Sequence, residues 1–216
     1  MLAERRAILA KALEHVPFDG WSDRSLRQGA ADAGFDDTLL RRAFPGGPAD
    51  AIEFWSAETD REMVAALAEQ DIGALKIRER IGAGVRWRLE SLAPHREAVR
   101  RALSHLGQPQ HAALGLRCLY RTVDEMWHAA GDTATDFNFY SKRGLLAGVY
   151  TSTVLFWLDD ESDDHAATWL FLDRRIADAM RIPKVTGRLG KIPAAIPRPG
   201  RFVRRVREHL REGERS

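Results

Sequence analysis

Residues 119–164 read LYRTVDEMWHAAGDTATDFNFYSKRGLLAGVYTSTVLFWLDDESDD and mix bulky aromatic side chains with charges more densely than any other part of the chain. The helical spacing of apolar residues on both sides of Gly131 predicts two helices, the second running from about Ala134 to Asp159. Glycine can adopt the left-handed conformation that ends a helix, and Asp132 or Thr133 can cap the next one. The stretch therefore predicts two helices joined by a tight turn.

The rest of the 216-residue chain shows helical periodicity between proline and glycine breakers, among them Pro17 and Pro183. No alternating, β-branched run is long enough for a sheet. We therefore predict an all-α protein. Its ten predicted helices are Leu2–Val16, Ser25–Asp32, Asp36–Ala43, Pro48–Gln70, Ile72–Ala93, Pro94–Leu106, Pro109–Ala130, Ala134–Asp159, Asp163–Arg181 and Pro199–Gly213.

The helix predicted after Gly131 has two different faces at about 100° per residue. One face carries Asp136, Phe139, Tyr140, Arg143 and Ala147, and the other, the expected interior face, carries Leu145, Val149, Ser152 and Phe156. Aromatic side chains and arginine on an outward face are typical of protein-binding hot spots. The alternative is that the aromatic residues belong to the core and that Arg143 pairs with Asp136 or Asp159. Spacing alone leaves both readings open.

Several motifs together resemble one known family. They are GWSDRSLRQGAADAGF and FPGGPADAIEFW near the start, KIRERI at Lys76–Ile81, RWRLE at Arg86–Glu90, DEMWHAAGD, TDFNFYSKR, LAGVY and LDDES in the central stretch, and TWLFLDRRIADAM at Thr168–Met180. The chain is similar, over nearly all of residues 1–181, to the ubiquinone-biosynthesis accessory proteins known as coenzyme Q protein nine. That family usually has tryptophan where this chain has Phe139.

The resemblance implies a TetR-like fold, lipid binding, and assistance to the di-iron demethoxyubiquinone hydroxylase of the pathway. The residues expected to dock this hydroxylase are Asp124, Met126, Asp136, Phe139, Tyr140 and Arg143. In this hypothesis Phe139 and Met126 supply apolar contact, Tyr140 adds a hydroxyl, and Arg143 anchors a partner carboxylate. An apolar tunnel for an isoprenoid quinone or phospholipid chain is also implied, with Leu145, Val149 and Phe156 as candidate lining residues.

Residues 1–47 have the layout of a TetR-type helix-turn-helix module, ahead of a helical body at 48–183. The helix that would enter the major groove begins with Asp36 and Asp37, which repel phosphates, although Arg41 and Arg42 remain. We expect a degenerate module with no specific nucleic-acid binding. A TetR-type repressor that senses a lipophilic ligand stays the alternative.

The C-terminal segment is strongly basic. Lys184–Ser216 carries ten basic and three acidic residues, a net charge of +7, whereas residues 1–183 carry a net charge of −5. Residues 184–198 are interpreted as a linker and 199–213 as a basic amphipathic helix. Its predicted membrane-binding residues are Phe202, Val203, Val206 and Leu210 on the apolar arc, with Arg204 and Arg205 beside them. The competing interpretation is a helix that folds back on the acidic body.

Catalytic and metal-binding patterns are sparse. Glu125 and His128 form a Glu-x-x-His half-motif, but a di-iron bundle needs a second copy, and the chain has none. Cys118 is the only cysteine, so neither an internal disulfide nor a cysteine zinc site can form, and a small buried hydrophobe is expected. We expect no enzyme and no cofactor beyond the bound lipid or isoprenoid quinone. A degenerate di-iron oxygenase is the enzymatic alternative.

An expected location in the cell follows from targeting signals and apolar runs. We find neither a signal peptide, a transit peptide nor a run of about 20 apolar residues. We expect a cytoplasmic protein that is peripheral on the inner membrane in a bacterium, or on the matrix side in a mitochondrion. TetR-like folds usually pair through their last helices, so the resemblance also implies a homodimer.

Overall fold

The computed structural model describes the backbone of residues 1–70, 72–131 and 137–189, and the side chains of residues 1–70, 72–131 and 142–181. These residues form nine α-helices and no strand, which confirms the all-α prediction. The helices are α1 (Leu2–Asp19), α2 (Asp23–Asp32), α3 (Asp37–Ala43), α4 (Gly47–Glu69), α5 (Ile77–Leu92), α6 (Arg96–Leu106), α7 (Ala112–Ala129), α8 (Phe137–Leu158) and α9 (Ala166–Leu189). Short 3₁₀ turns occupy Ile72–Ala74, Ala93–His95 and Asp163–His165.

Two predicted breakers do not break their helices. α1 continues through Pro17 to Asp19, and α9 continues through Pro183 to Leu189. A proline removes one helical hydrogen bond, but the neighbouring bonds can still form; the Gly20 N–H donates to the Val16 carbonyl at 2.9 Å. The linker predicted to start at residue 184 is therefore helical over residues 184–189.

The first three helices form a compact module whose closest contact lies at Gly29. A Cβ atom there would stand 2.5 Å from the Ala12 backbone nitrogen, so only glycine allows α1 and α2 to approach this closely. Ser22 and Ser25 cap α2 reciprocally, and the Asp36 carboxylate accepts from the Leu39 N–H at 2.8 Å to cap α3. Local sequence thus fixes both helix starts.

Ion pairs and one indole bond join this module to the body. Arg5 contacts Asp50 of α4 at 2.7 Å, and Arg6 pairs with Glu58 of the same helix. The Trp21 indole N–H donates to the Ala98 carbonyl of α6 at 3.0 Å. Residues 1–179 accordingly form one compact unit, and α9 continues beyond it from Met180.

The interior of the body lies between α4, α5, α7 and α8. Its most completely buried side chains are Met63, Leu67, Val85, Leu89, Val123, Met126 and Trp157. Burying each contributes roughly 1.5–3 kcal/mol relative to exposure. Through these side chains, one face of α7 and one face of α8 pack against the other helices.

Two further expectations concern membranes. Over the described parts of the chain, no helix is both long enough and apolar enough to cross a bilayer. The predicted amphipathic helix at 199–213, with Phe202, Val203, Arg204, Arg205, Val206 and Leu210, lies outside the described residues. Its membrane role stays a prediction.

Candidate functional site

An apolar groove of about 370 Å³ lies on the surface between α7 and α8. Its walls are Leu116, Leu119, Tyr120 and Val123 from α7, and Arg143, Gly144 and Ala147 from α8. Leu116 is 68% exposed and Tyr120 is 48% exposed, although both are large apolar side chains. A groove of this size and lining can hold part of an apolar ligand.

The groove follows directly from the local sequences of the two helices. On α7, residues 116, 119, 120 and 123 recur at helical spacing and form one stripe. On α8 two of the three facing residues, Gly144 and Ala147, are small, and a Cβ atom added at Gly144 would meet nothing within 4 Å. Bulky side chains on one helix facing small ones on the other leave the space unfilled.

One residue of the groove wall, Arg143, forms an ion pair with Asp124 of α7. The Arg143 Nε donates to the Asp124 carboxylate at 2.6 Å. The Arg143 side chain is only 6% exposed, whereas Asp124 is 44% exposed. A buried guanidinium needs such a partner, because an unpaired charge away from water is costly. Asp159, another predicted partner of Arg143, instead accepts from Arg100 at 2.9 Å.

Two of the residues expected to dock a protein partner are not on the surface. Met126 is 1% exposed and packs inward, within 3.6 Å of the position of a Cβ on Gly84 in α5. The expected surface position of Met126 is therefore wrong, because its place on α7 faces the core. Arg143 is likewise buried rather than exposed, because its guanidinium turns towards Asp124.

The structure does not test the remaining docking candidates. Asp124 is partly exposed. Phe139 and Tyr140 lie in the backbone of α8, but their side chains fall outside the described residues, as does Asp136 altogether. Their predicted contact with a partner stays a prediction.

The three candidate lipid-lining residues lie away from the groove. Val149 is buried and Leu145 is half-buried, and neither lines the space between α7 and α8. Phe156 is 38% exposed and stacks on Phe171 of α9, with ring centroids 4.6 Å apart. Its predicted interior position is wrong, because that part of α8 faces α9 and solvent. The groove lies instead on the Arg143 and Ala147 side of α8.

A charged cluster is buried on the inner side of α4, α5, α7 and α8. The Arg88 guanidinium donates to the Asp60 carboxylate at 2.6 Å, to the Tyr150 hydroxyl at 2.8 Å and to Ser56 at 3.2 Å. Arg121 donates to the second Asp60 oxygen at 3.1 Å. Sequence reasoning missed this cluster, because its members come from four separate helices.

Arg88 and the nearby Cys118 both have pKa values shifted away from neutral pH. Burial works to lower the pKa of Arg88, but Tyr150 and Asp60 outweigh it and raise that pKa above its ordinary value. Burial also raises the pKa of the nearby Cys118 thiol, which is 6% exposed. Cys118 is thus a small buried hydrophobe, as predicted. Arg88 stays charged and the Cys118 thiol stays protonated near neutral pH, which suits a scaffold.

The turn between α8 and α9 is held by Asp160. Its two carboxylate oxygens accept from the backbone N–H and hydroxyl groups of both Ser162 and Thr168, at 2.5–2.9 Å. Burial disfavours the ionised carboxylate, but these four donors hold the pKa of Asp160 well below its usual range. The turn therefore fixes the start of α9 relative to the end of α8.

No metal centre emerges among the described residues, where no three His, Cys, Asp or Glu side chains are placed to hold an ion. Glu125 is half-buried and His128 is exposed on α7.

Comparisons with known sequences find proteins named COQ9. The family model described as COQ9 matches residues 112–183, which span α7, α8 and most of α9. Ubiquinone biosynthesis protein COQ9, mitochondrial, of Rattus norvegicus is 36% identical over 182 residues, which cover 81% of this chain and 58% of that protein. The Homo sapiens protein of the same name is 34% identical over 182 residues, covering 81% of this chain and 57% of that protein. The chain thus spans less than two thirds of the length of these curated relatives.

A solved structure supports the fold. The TetR transcriptional regulator from Nitrosomonas europaea superposes with a TM-score of 0.68 at 23% sequence identity, covering 82% of this chain and 97% of that chain. The TetR-like fold prediction is confirmed. The matches to COQ9 proteins likewise confirm the family resemblance carried by the sequence motifs.

Proposed function

The chain is a relative of the COQ9 proteins, and from this premise we propose that it serves ubiquinone biosynthesis as a non-catalytic, lipid-binding accessory protein. It takes up an isoprenoid quinone intermediate at a membrane surface and presents it to the di-iron demethoxyubiquinone hydroxylase. The observation that carries this proposal is the apolar groove between α7 and α8.

The groove supports the lipid part of the proposal by its lining. Six of its seven wall residues present apolar or aromatic surface or no side chain, and the seventh, Arg143, has its charge balanced by Asp124. A hydrocarbon chain gains roughly 0.8 kcal/mol for each methylene group removed from water. The exposed Leu116 and Tyr120 would be covered by a bound chain. An isoprenoid or acyl tail is therefore the ligand class that this lining favours.

The partner part of the proposal is revised by the structure. Asp124 presents a partly exposed carboxylate, which accepts from Arg143 of the groove wall. The docking surface for the hydroxylase is then centred on Asp124, together with Phe139 and Tyr140 from the start of α8 and Asp136, which precedes α8 in the sequence. Lipid and partner would meet at the same place on the molecule.

The lipid proposal is tested by filling the groove. In Ala147→Trp the indole would occupy the space between α7 and α8, so mass spectrometry of an organic extract of the purified protein should find at least tenfold less co-purifying lipid than in wild type. Thr151→Trp is the matched control, because Thr151 is exposed on α8 and does not line the groove. Equal lipid content in Ala147→Trp and wild type would refute the site.

The partner proposal is tested at Tyr140. Tyr140→Lys should abolish co-purification with the hydroxylase while the melting temperature stays near that of wild type, because a surface contact contributes little to folding. Thr151→Lys should leave co-purification intact. An unfolded Tyr140→Lys protein would identify Tyr140 as a core residue.

A TetR-type regulator that senses a lipophilic ligand is the second candidate, since the fold is shared with a transcriptional regulator. The exposed Asp36 and Asp37 at the start of α3 disfavour phosphate contacts. Mobility-shift assays on promoter DNA at low salt should give no sequence-specific complex. A specific complex would favour the regulator.

A further inference from the structure

The segment between α4 and α5 exposes two aliphatic side chains. Leu75 is 41% exposed and Ile77 is 49% exposed. Lys76 and Arg78 alternate with them and are exposed as well. Residues 72–80 carry three basic side chains and one acidic one. We call residues 75–78 the α5 tip.

The α5 tip is held in place by Arg80. The Arg80 Nε donates to the Leu75 carbonyl at 2.9 Å, and the guanidinium also donates to the Gly73 carbonyl. Its Nη1 donates to the Ala130 carbonyl, at the end of α7, at 3.0 Å. One side chain thus fixes the α5 tip beside the end of α7. The exposure of Leu75 and Ile77 is therefore built into the fold.

The single acidic residue of this segment is engaged locally. Glu79 accepts from the Lys76 N–H at 3.1 Å and lies 3.5 Å from Arg78. It therefore caps the start of α5. Because the Arg80 guanidinium is also occupied by carbonyl groups, Lys76 and Arg78 supply the basic character at the surface.

The direction of α9 is towards the α5 tip. α9 runs antiparallel to α5: Arg86 lies over the Trp169 ring at 4.6 Å, and Ile176, further along α9, is 3.6 Å from the position of a Cβ on Gly82. Moving along α9 therefore leads towards the start of α5.

We infer that the α5 tip is a lipid-surface contact, in which Leu75 and Ile77 insert between headgroups while Lys76 and Arg78 meet their phosphates. This inference rests on the proposed membrane association. Aliphatic side chains that alternate with long cationic ones suit an anionic bilayer surface, whereas protein hot spots are dominated by aromatic residues and arginine. Two aliphatic side chains bind weakly, so the contact should be reversible. It would set which end of the body faces the membrane.

The test measures binding of the full-length protein to vesicles of phosphatidylcholine and cardiolipin by co-sedimentation. The double variant Leu75→Ser/Ile77→Ser should bind with roughly tenfold lower affinity than wild type, because two aliphatic side chains no longer leave water. The matched control is Phe18→Ser/Leu103→Ser, which removes two exposed apolar side chains from α1 and α6. Its binding should equal that of wild type.

A second measurement reports insertion directly. A bimane fluorophore on Ile77→Cys should be quenched by lipids that carry a nitroxide in the acyl chain, whereas one on Phe18→Cys should not. Absence of quenching at residue 77 in vesicle-bound protein would overturn the inference.

The outcomes separate this inference from the proposed function. If wild type does not bind vesicles, the proposed membrane association and this inference both fail. If wild type and Leu75→Ser/Ile77→Ser bind vesicles equally, the α5 tip is not a membrane contact, and the proposed membrane association is unaffected. If that variant binds vesicles normally but loses the hydroxylase, the α5 tip is a protein contact and the lipid inference is overturned.

Discussion

At the scale of single residues, this protein places charges where its apolar patterning would not suggest them. Asp60 and Arg88 have side chains that are 2% and 5% exposed, and each satisfies the other. Replacing such a pair by apolar residues can be nearly neutral, whereas removing one partner leaves a buried charge. Replacing either Asp60 or Arg88 alone should therefore lower the stability of the fold.

Asp60→Ala should lower the free energy of unfolding by roughly 3–5 kcal/mol, because it leaves the Arg88 guanidinium buried without its carboxylate. Urea denaturation at neutral pH measures this. The double variant Asp60→Leu/Arg88→Met, which removes both buried charges, should recover much of the stability that Asp60→Ala loses. Glu90→Ala, which breaks an exposed pair with Arg86 at 3.3 Å, should cost no more than about 0.5 kcal/mol. Equal effects of Asp60→Ala and Glu90→Ala would contradict a structural role for the cluster.

Asp160→Asn should destabilise the protein by roughly 2 kcal/mol at neutral pH, because the carboxylate accepts four hydrogen bonds. The folded-state pKa lies below the unfolded value of about 3.9, so this stabilisation is complete above that value and is lost as the pH falls through the folded-state pKa. The stability gap between wild type and Asp160→Asn should therefore narrow from pH 6 to pH 3 in thermal melts. Asp159→Asn, at a side chain 77% exposed, serves as the control and should change little.

At the scale of elements, the crossing of α1 and α2 depends on one missing side chain. A Cβ on Gly29 would stand 2.5, 2.6 and 2.8 Å from the N, Cα and Cβ atoms of Ala12, and two of these are backbone atoms that cannot move aside. The N-terminal module is therefore built around this contact.

Gly29→Ala should lower the free energy of unfolding by about 3 kcal/mol, since α1 and α2 must separate to accept the methyl group. Gly148→Ala is the matched control: its Cβ would meet nothing within 4 Å, so helix propensity alone should stabilise it by roughly 0.5–1 kcal/mol. Differential scanning calorimetry can compare the two. A stabilised Gly29→Ala protein would show that the helices do not cross this closely in solution.

At the scale of the whole molecule, α8 and α9 leave an apolar surface open. Leu155 is 54% exposed and Leu170 is 61% exposed, beside the stacked Phe156 and Phe171 rings. Exposed patches of this kind commonly mark protein interfaces. We propose that a second copy of the chain covers this surface, in keeping with the homodimer expected from the fold.

Leu155→Glu/Leu170→Glu should convert a dimer to a monomer in sedimentation velocity at micromolar concentration, because burying two unpaired carboxylates opposes association. Leu103→Glu, on α6, should remain dimeric. A monomeric wild-type protein under the same conditions would exclude the dimer.

The candidate site was only partly predictable. The stripe of Leu116, Leu119 and Val123 is visible in the sequence, but periodicity shows only that residues share a face. It does not show whether another helix covers that face. Helical spacing predicts a surface position for Arg143, and the family resemblance implies one for Met126. The packing of α7 against α5 and α8 places both side chains inside.

The sequence by itself determined most of the helices, the left-handed Gly131 (φ +82°) that ends α7, and the relation to the COQ9 proteins. Helices and their ends depend on interactions between residues close together in the chain, and the relation to the COQ9 proteins is a similarity of sequence. Only the tertiary structure decided that Arg143 pairs with Asp124, that Asp60 meets Arg88, and that a groove remains between α7 and α8. Such pairings depend on how helices distant in sequence pack, and helical spacing within one segment carries no information about its neighbour in space.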